Sequence, residues 1–90
     1  MKKAVLTVIG NDRVGIIARV SNCLADANIN ILDISQTTMS DMFTMIMLVD
    51  VSKSNVDFHV MAQRIKELGD EMQMQMQLQD TDIFNSMHKI

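Results

Sequence analysis

Between its first two regular elements the chain reads Gly10-Asn11-Asp12-Arg13-Val14-Gly15, a short polar run with a glycine at each end. A β-branched stretch precedes it and an amphipathic one follows, so the run leads from a strand into the start of a helix. The first backbone N–H groups of a helix lack an intrahelical acceptor and attract anions such as a carboxylate. Gly10 and Gly15 let the backbone approach a bound group closely, and Asn11 and Asp12 offer oxygens to an ammonium. An α-amino acid presents both charges. The same residues also have a plain structural reading, with Asp12 capping the helix and Gly15 letting it pack on a sheet.

Other chemistry finds less support. Gly10 and Gly15 have the glycine spacing of a P-loop, but Ile16-Ile17 stands where Lys-Ser/Thr would hold terminal phosphates and magnesium. Cys23 is the single cysteine, which excludes an internal disulfide and a two-cysteine metal site. It lies in an apolar helix stripe, away from a helix start that would favour the thiolate, and reads as a small buried hydrophobe. His59 and His88 have no second ligand at metal spacing. Ten methionines raise the question of Cu(I), a soft ion that takes thioethers. Met72, Met74 and Met76 alternate as core residues do, however, and flexible Met suits a core with only three aromatic residues. No metal or cofactor is expected.

The elements that must position the loop are legible from periodicity. Lys3 to Ile9 forms strand one. Ile16, Ile17, Val20, Cys23, Leu24 and Ala27 share one helical face, with Arg19, Asn22 and Asp26 opposite, and Asn28 is a left-handed stop. Ile29–Met39 and Met42–Val51 read as strands two and three around a Ser40-Asp41 turn. Ser52 to Asn55 offers caps for a second helix, whose stripe is Phe58, Met61, Ala62, Ile65 and Leu68, with Gly69 at its end. Met72, Met74, Met76 and Leu78 then alternate with Gln73, Gln75, Gln77 and Gln79 as strand four. Ile83, Phe84, Met87 and Ile90 fall at helical spacing, which predicts a short docked C-terminal helix over 81–90 beside a domain of residues 1–80.

The order β-α-β-β-α-β is that of the α+β, ferredoxin-like split βαβ arrangement: a four-stranded antiparallel sheet with two helices on one face. Strands one and three are apolar on both faces, as central strands should be. Their second face needs a cover, which the apolar tail or a partner sheet could supply. Ser35-Gln36-Thr37-Thr38 of strand two is polar, uncharged and β-prone, with no Lys or Pro to discourage pairing. An unguarded edge of this kind predicts a homodimer, formed by sheet continuation through strand two, the alternative being a monomer whose edge is simply short.

Ninety residues suffice for one domain, with a thin core and little room for a deep enzyme cleft. The net charge of −3 and the lack of a basic cluster beyond Lys2-Lys3 argue against nucleic acid. The first ten residues read as a strand and not as a signal peptide, and no apolar run approaches the ~20 residues needed to cross a bilayer, so a cytoplasmic protein without membrane association is expected.

Ala4-Val5-Leu6-Thr7-Val8-Ile9-Gly10-Asn11-Asp12-Arg13-Val14-Gly15-Ile16, followed by Asn28-Ile29-Asn30-Ile31, resembles the ACT domain, a regulatory module of amino-acid metabolism. The order of elements over residues 3–80 agrees, and residues 82–90 resemble the tail of small stand-alone ACT proteins of unassigned role. The resemblance implies a non-enzymatic homodimer that binds a small molecule, often an amino acid, where the loop of one subunit meets strand two of its neighbour. The site would comprise Asn11, Asp12, Arg13, Val14 and Gly15 from the loop and Asn30 from strand two. A ligand-free module docking on a metabolic enzyme is the alternative. ACT loops often carry Pro where this chain has Val14, so the turn is less pre-set here. Acylphosphatases share the fold and place Arg four residues beyond a loop glycine, as Gly15 and Arg19 are spaced. The aromatic surroundings of their motif are missing, and Ser35-Gln36-Thr37 stands where an Asn would be wanted.

Overall fold

The computed structural model describes residues 2–81. Six elements follow one another: β1 (Lys3–Asn11), α1 (Ile16–Asp26), β2 (Asn30–Met39), β3 (Met42–Asp50), α2 (Phe58–Met72) and β4 (Gln75–Asp80). The strands form one sheet in the order β2-β3-β1-β4, antiparallel throughout, so the two doubly apolar strands are the central ones as polarity predicts. The helix expected over 81–90 lies outside the described residues from Asp82 onward.

Alternation decides which side chains meet the helices. Ala4, Leu6 and Val8 of β1, Phe43, Met45, Met47 and Val49 of β3, and Met76 and Leu78 of β4 enter one core with Val20 and Leu24 of α1 and Met61 and Ile65 of α2. Burying each of these side chains other than Ala4 is worth about 1.5–3 kcal/mol. Met72, Met74 and Met76 all belong to this core, where their thioethers fill space between α2 and the sheet.

Three local expectations need correction. Gly69 does not end α2, which continues to Met72 and stops at Gln73 in the left-handed conformation (φ 58°). Gly69 matters for close approach instead. A Cβ there would stand 2.6 Å from the Met74 carbonyl oxygen, so its bare backbone admits the chain returning into β4. Strand four accordingly begins at Gln75, and Met72 is a helix residue. Ser52 to Asn55 does not cap α2 either, since its N-cap is Asp57 with no side-chain bond. Asn55 instead closes the end of α1, donating from its backbone to Ala27 O (3.0 Å) and from its side chain to Asp26 O (3.1 Å). Asn28 does stop α1 in the left-handed region, at φ 58°. Ile17, counted in the apolar stripe of α1, is 39% exposed at the sheet's β2 side.

Candidate functional site

The loop between β1 and α1 is held at both ends. Asp12 N–H donates to Asp41 O (2.7 Å), tying the loop to the β2–β3 hairpin. Arg13 reaches the other way, and its guanidinium donates to Met72 O at the C-terminal end of α2, where carbonyls are unpaired and the helix dipole favours a cation. Arg19 lies nearby in an exposed ion pair with Glu71 (2.6 Å), so it belongs to the solvated helix surface rather than to a phosphate site.

Gly15 turns the chain into α1 at φ 89° and ψ 6°, a conformation in which glycine avoids the penalty of other residues. No side chain caps the helix, Asp12 included. The first ladder bond runs from Arg19 N–H to Gly15 O (2.9 Å), which leaves the N–H groups of Ile16, Ile17 and Ala18 without an intrahelical acceptor. Those three residues border a cleft of about 400 Å³ lined also by Asp12, Arg13 and Gly15 and, from the sheet, by Gln36, Thr38 and Phe43. The cleft thus combines an anion-attracting helix start, a carboxylate at Asp12, and a hydroxyl and amide on the sheet edge.

The expected site residues are only partly gathered here. Asp12, Arg13 and Gly15 border the cleft. Val14 points fully into solvent at the tip of the loop. Asn11, paired with Met42, borders a separate depression beside Gly10, Asp70 and Gln73. Asn30 pairs with Asp50, which pairs with Lys3, at the opposite end of the sheet. Eight strand residues at 3.2–3.4 Å each put it about 25 Å from the loop within one chain. Gln36, Thr38 and Phe43 were not anticipated as site residues. The Ser40-Asp41 turn sets Thr38 opposite Phe43, but only the β1–β3 register, which the turn does not fix, sets Phe43 opposite Gly10 beside the loop.

The neighbouring edge is open. Nine of the ten residues of β2 are exposed, among them Leu32, Ile34 and Met39, and the apolar Ile17 of α1 lies on the same side. A β-bulge at Leu32 interrupts its pairing with β3.

The family model for the ACT domain matches residues 2–79, nearly the entire described chain. The chain is a member of the ACT domain family. A UPF0237 protein of Methanocaldococcus jannaschii is 49% identical over 90 residues, covering all of both chains. Among solved structures, an ACT domain protein from Streptococcus pneumoniae superposes with a TM-score of 0.79 at 36% identity, over 92% of this chain and 93% of that one. A formyltetrahydrofolate deformylase from Pseudomonas syringae contains a similar unit (TM-score 0.81, 28% identity), which spans 89% of this chain but only 28% of that enzyme. The ACT module here therefore matches a stand-alone protein end to end and one segment of a larger enzyme. No helix among the described residues is long and apolar enough to cross a membrane.

Proposed function

We propose that this ACT protein is a non-enzymatic cytoplasmic regulator that binds an amino acid as a homodimer. The observation that carries the reading is the cleft at the start of α1, which Asp12 lines together with the first residues of a helix that no side chain caps and with Gln36 and Thr38 of the open strand. The ligand carboxylate would take the N–H groups of Ile16 to Ala18, and Asp12 would take its ammonium. Arg13 would act at one remove, holding the loop through Met72 O.

Dimerisation through β2 would answer the position of Asn30. Two β2 strands pairing antiparallel about Ser35 bring the Asn30 end of the partner's strand beside the Thr38–Met39 end of this one, next to the cleft. Leu32, Ile34, Met39 and Ile17 would then be covered.

The test is thermal unfolding with each common amino acid at millimolar concentration. A ligand at 100 times its dissociation constant stabilises a protein by about 2.7 kcal/mol, a rise of roughly 10–20 °C for a domain of this size. Stabilisation by one or two amino acids, lost in Asn30→Ala, is the expected result. No rise with any of them would overturn the sensor reading. The ligand-free module that docks on a metabolic enzyme would then be favoured, in line with the apolar side chains left exposed on β2 and on the sheet face away from the helices.

A further inference from the structure

Apart from the cleft beside the loop, a groove of about 570 Å³ runs along the outer edge of β4. Among the described residues β4 pairs with β1 alone, so its other edge carries no strand. Along Gln75-Met76-Gln77-Leu78 that edge has no Lys, no Pro and no charge to discourage pairing. One wall of the groove is α2, whose His59, Gln63, Lys66 and Asp70 recur at helical spacing along it. Their levels follow from Gly69, where an added Cβ would abut Met74 O and Met76 Cβ. Lys66 lies three residues earlier, about 1.5 Å each, and so stands about level with Met76–Gln77 on a strand rising about 3.3 Å per residue. Asp70 lies at the Gln75 end of the groove and His59 toward the other.

From this structure we infer that the groove receives an extended segment of another protein, added to β4 as a fifth strand, with carboxylates at the positions turned toward α2. In strand addition the main-chain hydrogen bonds supply affinity and the alternate side chains supply choice. Side chains of the added strand opposite Met76 and Leu78 turn to the helix side, where Lys66 is exposed and has no ion-pair partner among the described residues. His59, exposed on the same row, offers a further donor. A carboxylate there meets Lys66 at short range, whereas a lysine would meet a like charge. Asp70 turns carboxylates away from the Gln75 end and so sets the register. The intervening side chains lie on the other face beside Gln75 and Gln77, exposed amides that suit polar, β-prone residues such as Thr. If β2 pairs with a second copy as proposed above, a second copy at β4 as well would run the sheet on from molecule to molecule. A lone peptide strand ends it.

The probe is an octapeptide alternating Thr and Glu, with both ends blocked, titrated into the full-length protein and followed by amide NMR. The expected result is shifts along Gln75–Leu78 and in the Gln63–Lys66 turn of α2, with affinity about tenfold or more above that of the Thr-Lys counterpart. Lys66→Glu, a change at an exposed position, should reverse that preference. Methylating the backbone nitrogens of the peptide should abolish the shifts, because strand addition needs its N–H donors. Equal affinity for the two peptides, an unchanged preference in Lys66→Glu, or binding that survives N-methylation would overturn the inference. Shifts along β2 in place of β4, or none at all, would do the same. Changes at Gln75–Leu78 on diluting the protein without peptide would also overturn it, by assigning the edge to a second copy.

Discussion

Replacing Gly15 separates backbone strain from contact more cleanly than any other change in this protein. At φ 89° an L-residue pays for a left-handed backbone, a cost of about 1–2 kcal/mol. A Cβ added there meets nothing within 4 Å, so collision contributes nothing. Alanine also stiffens the unfolded chain, which offsets up to about 1 kcal/mol. Gly15→Ala should therefore lose about 1 kcal/mol net, or roughly 4–8 °C in melting temperature. Gly15→Asn, whose side chain tolerates the left-handed region, should lose less, and Gly15→Val should lose more because it is β-branched. Urea and thermal melts of the three variants give the ranking. Equal losses for Ala and Asn would refute the strain argument, showing that the loop relaxes to negative φ. Under the proposed function the strain also has a binding consequence: amino-acid stabilisation should shrink in the order Asn, Ala, Val, as the Ile16–Ala18 N–H groups lose their aim.

Gly69→Ala should run against helix propensity. Alanine is ordinarily better than glycine inside a helix by up to about 1 kcal/mol. Here the added methyl would stand 2.6 Å from a backbone oxygen, and a net loss of about 1–3 kcal/mol in chemical denaturation is expected; a gain in stability would show that the α2–β4 turn yields freely. Asp50 offers a pH test. Hydrogen bonds from the Ser52 hydroxyl and N–H, with Lys53 nearby, hold its carboxyl below the usual carboxylate range. A lowered folded value means that this contact stabilises above the ordinary carboxylate range, and that its contribution is lost as pH falls through the lowered value. Ser52→Ala should move the Asp50 titration upward, as read by carboxyl-carbon NMR, and an unmoved curve would assign the shift elsewhere.

Period and polarity carried the architecture into the sequence. Strict alternation identified the buried face of β4, and apolar character on both faces of Phe43–Val49 identified a central strand. What escaped was tertiary. Gly69 carries the same signal whether it ends a helix or admits a neighbouring carbonyl, and only the return of Met74 tells the two apart. Asn55 looks like a cap for the helix that follows it, yet the unpaired carbonyls of Asp26 and Ala27 lie closer in space. The loop half of the cleft was visible because glycine spacing and polarity are local. Gln36 and Thr38 read only as edge residues, because their relation to the loop passes through the register of two strand pairs. Arg13 groups with ligand-facing residues on adjacency alone, whereas its side chain works 59 positions away.

That long reach of Arg13 bears on how a signal could leave the site. The loop is pinned to the β2–β3 hairpin through Asp12 and to the end of α2 through Arg13, so a ligand that moves it must strain or relieve both contacts. The hairpin contact lies at the Met39 end of the strand through which dimerisation is proposed. A ligand seated between this loop and a neighbour's β2 is bound only by the dimer, and linkage then requires it to tighten the dimer by the factor by which dimerisation tightens the ligand. A coupling of about 1.4 kcal/mol makes that factor ten. Regulation in so small a molecule needs no second fold: a shift in dimer affinity at fixed protein concentration changes which surfaces are free. Arg13→Ala should keep the fold and the dimer but lower the ligand-dependent gain in dimer affinity, measurable by sedimentation with and without amino acid. An unchanged gain would place the transmitted strain entirely in the Asp12–Asp41 contact, leaving α2 a passive wall.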